Sequence, residues 1–314
     1  MRAASLPETL VDRAALLGYP AVALLDRDGV SGAPRFHKAA LAAGLRPLIG
    51  AELTILRKSE VKSKESKAGF SLSTSHFSLS VLVSSQEGWR NLCRLISLMK
   101  LRAPKGEGAL GLEELDGFTT GLIAMPGRPL LCADQYGVGG LLDRIVGSFG
   151  RANVYVELQR HLQRDQEDDN AALRCLAGAF RVPVVATGGV VFATPEERPL
   201  FDVLTSIREH VSLARAGRRL AVNAERYLKP PAQMARLFAD LPEAVHATRD
   251  LADRLQFSMR DLGYRFPRYP VPDGESEASF LRKIAEVGAR DRYRPYYDKA
   301  RAQVERELNL IEKL

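Results

Sequence analysis

Apolar residues in the first half of the chain alternate between helical spacing and short continuous runs. Ser5 and Glu8 have the spacing of a capping box, which predicts a helix that begins there and ends at Gly18. The apolar run at residues 21–25 follows directly. Such a run, bounded by turn residues, indicates a parallel strand buried on both faces.

The same alternation continues to about residue 210. Further strands are predicted at residues 47–55, 77–83, 122–125, 154–158 and 184–187. Further helices are predicted at residues 33–43, 87–98, 141–146, 170–180 and 196–209. This order predicts parallel strands with helices outside them, as a doubly wound sheet or a barrel. Because a helix precedes the first strand, we expect a barrel that lacks its first strand and has an exposed edge prone to self-association.

Beyond residue 221 the pattern predicts helices without intervening strands. They are expected at residues 231–238, 242–255, 278–290 and 298–314, with a Pro-rich link at 267–272. We therefore predict an α/β barrel at 1–222, a helical extension and linker at 223–270, and the start of a further region at 271–314.

Composition narrows the function classes. The net charge of +7 and pI near 9.4 favour an anionic partner such as DNA or a phosphate ester. Part of this charge lies in a Ser-rich stretch predicted to be a surface loop, at Arg57, Lys58, Lys62, Lys64 and Lys67. The apolar runs are too short to span a membrane and no export signal is evident, so we expect a cytoplasmic protein. Three cysteines without a C-x-x-C pair predict buried reduced thiols.

Reactive groups of an α/β barrel lie at the carboxyl ends of its strands. Asp26, Glu52 and His161 occupy such positions, but three ligands fall short of a site with two or three metal ions. Asp26 and Asp28 are also ordinary turn residues. Glu52 lies within an apolar run and needs a partner if buried, for which Arg27 is a candidate.

A basic patch is a candidate for contact with nucleic acid. It comprises Arg90, Lys100, Arg102 and Lys105, close in sequence to Trp89. Phosphate contacts use such side chains, although a solvated helix face has the same composition.

Several segments resemble the PHP domain of bacterial C-family DNA polymerases, the DNA polymerase III alpha subunit group, in particular its error-prone branch. They are residues 4–8, 17–21, 26–30, 32–37, 50–53, 88–95, 100–106, 155–161, 183–187 and 225–228. The resemblance covers essentially the whole chain. It implies an α/β fold, a distorted (β/α)7 barrel that here lacks its first strand, followed by a helical segment leading towards a polymerase palm. The palm's catalytic aspartates would lie beyond residue 314.

The resemblance also implies where metal ligands would be. The corresponding positions are Asp26, Arg27, Glu52, His161, Gly189 and Val191, with His76 and Arg128 as further candidates. Arg27, Gly189 and Val191 depart from the family pattern, and its first-strand H-x-H pair would precede Met1. We therefore expect no metal cofactor and no catalytic residue in this chain, and a guanidinium of Arg27 that pairs with Glu52.

The resemblance implies a structural PHP portion of an error-prone DNA-directed DNA polymerase, which performs DNA synthesis, lesion bypass and repair as a full-length protein. Its expected partners are DNA within the full polymerase, the palm region and other replication or repair proteins. Two alternatives remain at this point. One is a metal-dependent PHP phosphoesterase, acting as a proofreading exonuclease or pyrophosphatase, and the other is a freestanding interaction module.

Overall fold

The structure is a computed structural model that describes residues 3–56, 76–132, 137, 139–260, 262 and 268–313. The predicted basic loop, between residues 57 and 67, lies outside the described residues. The chain divides into two compact units, Met1–Leu262 and Gly263–Leu314. Residues 223–262 therefore belong to the same unit as the strands.

The described residues form six strands. They are β1 (Ala21–Arg27), β2 (Arg46–Leu56), β3 (His76–Val83), β4 (Leu122–Met125), β5 (Val156–Gln159) and β6 (Val184–Thr187). One sheet has the order β1-β2-β3-β4, and a second pairs β5 with β6. A parallel bridge between Ala124 and Val154 connects β4 with the chain entering β5. The result is a curved, open α/β barrel.

Strand direction differs in part from the prediction. β1 is parallel to β2 and β5 is parallel to β6, but β3 is antiparallel to both of its neighbours. The sequence predicts no helix between β2 and β3. Parallel neighbours are usually joined by a crossover helix, so the lack of a predicted helix favours an antiparallel pairing of β2 with β3. The pairing of β3 with β4 is antiparallel although the helix Gln86–Leu101 lies between them in the chain.

Helices flank the strands in the order that the sequence predicts. They are α1 (Pro7–Leu16), α2 (Ala33–Ala42), α3 (Gln86–Leu101), α4 (Gly140–Phe149), α5 (Arg164–Phe180), α6 (Arg198–Arg208), α7 (Leu213–Ala216), α8 (Pro231–Leu237) and α9 (Pro242–Arg254). The second unit contains α10 (Glu277–Arg292) and α11 (Asp298–Ile311). No helix in the described part of the chain is long and apolar enough to cross a membrane.

Two local predictions are wrong. The capping box is absent, since α1 begins at Pro7 without a side-chain cap. The Ser5 hydroxyl instead accepts a hydrogen bond from the Ala193 amide at 2.6 Å and contacts Glu197. Cys175 is exposed rather than buried, because it lies on the outer side of α5.

Side chains alternate between the two faces of each strand, and this alternation builds the core. On β2, Ala51, Leu53 and Ile55 point outwards into the main core beneath the helices. Leu48 points to the other face and belongs to a second cluster at the amino ends of the strands. Leu251 of α9 is buried in that second cluster, so α9 closes this end of the barrel.

One side of the barrel is open. β1 pairs with β2 on one edge, and no strand of the described residues pairs with its other edge. A cavity of about 1790 Å³ is lined by residues of both β1 and β6. An opening therefore runs along these two strands in the described part of the chain.

Candidate functional site

Arg27 and Glu52 lie opposite each other on two adjacent parallel strands, at the last residue of β1 and in the middle of β2. Arg27 Nη1 donates to Glu52 Oε1 at 2.9 Å, and Nη2 donates to Thr54 Oγ1 at 3.3 Å. The predicted ion pair is therefore present. Its side chains are 18% and 34% exposed, so solvent screens the pair only in part.

The neighbouring aspartates organise the turn after β1. Asp26 Oδ2 accepts a hydrogen bond from the Gly32 amide at 2.5 Å, just before α2 begins. Asp28 accepts hydrogen bonds from the Thr54 amide at 2.7 Å and from the Thr54 hydroxyl at 2.8 Å. Asp28 has a φ of 51°, a conformation that Asp tolerates better than most residues. Both carboxylates therefore have structural roles, as their turn sequence predicts.

His161 is buried and fully hydrogen-bonded. Its Nδ1 accepts from the Gln166 side-chain amide at 3.0 Å, and its Nε2 donates to the Gly188 carbonyl at 2.9 Å. This network assigns a neutral ring with the proton on Nε2. Burial lowers the pKa of the imidazole, which keeps it neutral. Neither ring nitrogen is available to a metal ion.

Gly189 and Val191 also serve the local fold. Gly189 has a φ of 50°, and a Cβ there would lie 2.5 Å from the Gln159 side-chain oxygen. Val191 is buried beside Phe192 and Phe201 in a small apolar cluster. Neither position can supply a ligand atom from its side chain.

Two charged residues that we did not predict complete the site. Glu157 on β5 lines the same cavity as Glu52 and accepts a hydrogen bond from the Thr187 hydroxyl at 2.5 Å. Burial raises the pKa of the Glu157 carboxyl, and the nearby Glu52 carboxylate raises it further. Arg226 donates from Nε to the Gly189 carbonyl at 2.7 Å, and burial lowers the pKa of its guanidinium.

The sequence carries a signal for only one of these two residues. Glu157 lies between Val156 and Leu158, which point into the main core, so it must face the interior of the barrel. Arg226 lies outside the helices and strands, and no residue spacing indicates that it enters the cavity. Its position depends on contacts far away in sequence.

The two remaining candidate positions lie near the rim of the site. Arg128 binds two aspartates of α5, Asp165 at 3.0 Å and Asp169 by a shorter contact. His76 begins β3 and lines, together with Arg27 and Arg128, a smaller cavity of about 440 Å³.

These residues do not fit a metal ion. Among the described residues, no three His, Cys, Asp or Glu side chains come together in a way that could hold one. Arg27 places a positive charge beside Glu52, and both nitrogens of His161 are already used. A divalent cation needs several converging oxygen or nitrogen ligands, and a neighbouring guanidinium repels it.

The predicted basic patch is only partly available. Arg102 Nη2 donates to Glu114 Oε2 at 2.7 Å, and Lys100 Nζ donates to the Glu107 carbonyl at 3.1 Å. Arg90 and Lys105 are exposed and have no side-chain partner in the part of the chain that the structure describes. Two of the four side chains thus remain available for an anionic partner.

Comparison with known proteins agrees with the sequence resemblance. A family model described as PHP domain matches residues 1–161. The error-prone DNA polymerase of Mycolicibacterium paratuberculosis is 36% identical over 328 residues, which cover 99% of this chain and 29% of that protein. The error-prone DNA polymerase of Caulobacter vibrioides is 31% identical over 315 residues, which cover 100% of this chain and 27% of that protein. The chain thus spans under a third of the length of these curated relatives.

Solved structures show more distant likeness. A protein from Bifidobacterium adolescentis, described as a metal-dependent phosphoesterase, overlaps 60% of this chain and 82% of its own at a TM-score of 0.37 and 14% identity. An amidohydrolase from Chromobacterium violaceum overlaps 59% of this chain and 82% of its own at a TM-score of 0.35 and 16% identity.

Proposed function

Because this chain belongs to the PHP domain family, we propose that it is the PHP portion of an error-prone DNA polymerase and that it works as a structural domain without a metal centre. In this proposal, DNA synthesis, lesion bypass and repair are carried out by the full-length cytoplasmic polymerase. The PHP portion supports the palm region and offers surfaces to DNA and to other replication or repair proteins.

The observation that supports this role best is the ion pair between Arg27 and Glu52, which joins the end of β1 to the middle of β2. Glu52 and Glu157 line one cavity together with two cations, Arg27 and Arg226. The guanidinium of Arg27 places positive charge beside Glu52 and ties two adjacent strands together. The site therefore needs no metal ion for charge balance.

The metal-dependent phosphoesterase is the alternative that an experiment must exclude. The purified chain is dialysed against manganese or zinc, and bound metal and hydrolysis of a phosphodiester substrate are measured, with Glu52→Ala as the control. We expect less than stoichiometric metal and no hydrolysis that depends on Glu52. Stoichiometric metal together with cleavage that Glu52→Ala abolishes would establish the phosphoesterase instead.

The DNA surface in this proposal centres on Arg90 and Lys105. Substitution of both by Glu should weaken binding of short single-stranded DNA and reduce its salt dependence, because each lost phosphate contact reduces counterion release. Arg102→Gln is the matched control, since Arg102 already binds Glu114. Equal losses in the two variants would remove this patch from the proposal.

The link to a polymerase is tested at the level of the gene. We expect a palm region with catalytic aspartates either in the same reading frame or in a neighbouring one, and a complex of the two parts on coexpression. If neither the reading frame of this chain nor a neighbouring one encodes a palm region, the freestanding interaction module would be favoured.

A further inference from the structure

Helix α6 has an apolar face that no other described element covers. Leu200, Val203 and Ile207 are 49%, 43% and 54% exposed. Their spacing of three and four residues places them in one row along the helix. Leu213 at the start of α7, which packs against α6, is 50% exposed and extends the row. We call these four residues the α6 ridge.

The opposite face of α6 explains why the ridge is not simply part of the core. Phe201 is buried and packs edge to face with Phe192 at a centroid distance of 5.8 Å. Thr205, one turn further on, is 1% exposed. The helix is thus anchored by one face, while its second apolar face is left to solvent. Apolar patches that remain exposed beside polar residues are typical of interaction sites.

Positive charge follows the ridge in the chain, on α7, which packs against α6, and on the turn after it. Arg215, Arg218 and Arg219 are exposed and have no side-chain partner among the described residues. We call them the arginine cluster. Between residues 208 and 219 the chain contains four arginines and a single glutamate, Glu209, which binds Arg208 at 3.1 Å. The cluster therefore lacks local counter-charge.

We propose that the α6 ridge and the arginine cluster form a docking surface for an acidic amphipathic helix of a partner protein. The row from Leu200 to Ile207 is about 10 Å long, which suits two turns of a packed helix. Carboxylates on the flank of that helix would complement the arginine cluster. The ridge argues for protein rather than nucleic acid, because apolar side chains on a helix add nothing to phosphate binding.

The test uses the whole 314-residue chain and a synthetic probe. The probe is a fluorescent helical peptide of three heptads with Leu at the a and d positions and Glu at most others. Its binding is followed by fluorescence anisotropy, beside a control peptide in which Lys replaces Glu. We expect saturable one-to-one binding of the acidic peptide and at least tenfold weaker binding of the basic one.

Variants locate the site. Val203→Asp and the double change Arg218→Glu with Arg219→Glu should each weaken binding of the acidic peptide about tenfold or more, because each removes one of the two features. Leu101→Asp is the matched control, since Leu101 is 88% exposed on α3 and should leave binding unchanged. Circular dichroism melts verify that every variant remains folded.

Four outcomes would overturn the proposal. The first is an absence of saturable binding, and the second is an equal loss with Leu101→Asp and Val203→Asp. The third is binding of a labelled DNA strand that depends on the arginine cluster but not on Val203, which would assign the surface to nucleic acid. The fourth is conversion of a dimer to a monomer by Val203→Asp, seen by light scattering without peptide, which would assign the surface to a second copy of the chain.

Discussion

Arg27 contacts three side chains, so single substitutions at Arg27 and its partners test the site directly. Its guanidinium contacts Glu52 and Thr54, and its Nε lies 3.8 Å from Asp28 Oδ2. Asp28 in turn binds Thr54. The four side chains form one hydrogen-bonded network, so the removal of one member leaves others without partners.

Arg27→Met should destabilise the protein by about 1–3 kcal/mol, because Glu52 loses the donor that compensates its partial burial. The double variant Arg27→Met with Glu52→Gln should recover part of this loss. Urea unfolding of wild type, single and double variants gives the coupling free energy. Losses that add within about 0.3 kcal/mol would show that the pair contributes no coupling.

The buried carboxyl of Glu157 should make the stability of the protein depend on pH. Its folded-state pKa is raised by burial above the unfolded value, so its contribution to stability is present below the unfolded pKa and is lost as pH rises through the folded pKa. Glu157→Gln should therefore match wild type near pH 4 and exceed it in stability at pH 7 to 8. Urea midpoints across this range measure the difference. The exposed control Glu107→Gln should show no such divergence, and a Glu157→Gln protein less stable than wild type at pH 8 would contradict the prediction.

The four charged residues of the site differ in how far the sequence predicts their positions. The pairing of Arg27 with Glu52 is predictable, because Glu52 is a carboxylate within an apolar run and Arg27 ends the strand that precedes it in the chain. The roles of Glu157 and Arg226 were missed. The interior position of Glu157 follows from strand alternation, whereas Arg226 reaches the cavity from an irregular segment near the carbonyl of Gly189. No local pattern carries that information.

Among the helices and strands, the first turn of α3 packs closely on the residue before β4, with Gly88 against Gly121. A Cβ on Gly88 would lie 1.8 Å from the Gly121 carbonyl oxygen, so a side chain cannot fit without movement of the backbone. Gly121 itself has a φ of 74°. Glycine at both positions lets the helix start close to the strand.

Gly88→Ala should therefore destabilise the protein by about 2 kcal/mol or more, the range typical of overpacking against backbone. Gly147→Ala is the matched control on α4, where a Cβ would meet no atom within 4 Å. That change should stabilise by about 0.5–1 kcal/mol through higher helix propensity. Thermal melts rank the three proteins, and equal melting temperatures for the two variants would contradict the packing argument.

The sequence predicts where helices and strands occur better than how the strands pair and how the helices are capped. The apolar runs identify β4 and β6 with their observed bounds, because buried strands leave a strong local signal. The antiparallel direction of β3 depends on how it connects to its neighbours, which periodicity does not encode. The capping box failed because Ser5 binds Ala193 and Glu197, far along the chain, in preference to the first turn of α1.

In the molecule as a whole, α9 closes the barrel at the amino ends of the strands. Towards the other end, the positive charge of Arg27 compensates the negative charge of Glu52. Arg254 at the end of α9 donates to the Tyr155 hydroxyl at 2.9 Å and to the Ala152 carbonyl at 2.6 Å. Both ends are therefore secured by contacts within the chain. The predicted self-association through the free edge of β1 stays a prediction.

Removal of metal ions should leave the stability of the whole chain unchanged. A ligand that binds the folded state stabilises it by an amount that grows with the logarithm of its concentration over its dissociation constant. A domain without a metal site therefore gains nothing from manganese or zinc. Melts with excess chelator, without additions, and with each metal should coincide. A rise of several degrees with one metal, lost in Glu52→Ala, would contradict this expectation.

The Arg27–Glu52 pair also bears on how such a domain can change over generations. To hold a metal ion here, the chain would have to replace Arg27 and acquire ligands at positions such as Gly189, where a Cβ meets Gln159. Each single replacement on that route leaves an unbalanced charge or a clash, with a cost of about 1–3 kcal/mol against a small total stability. Every intermediate would thus be less stable than its parent before it gained any activity. The ion pair therefore makes a metal centre hard to acquire at this place by single substitutions.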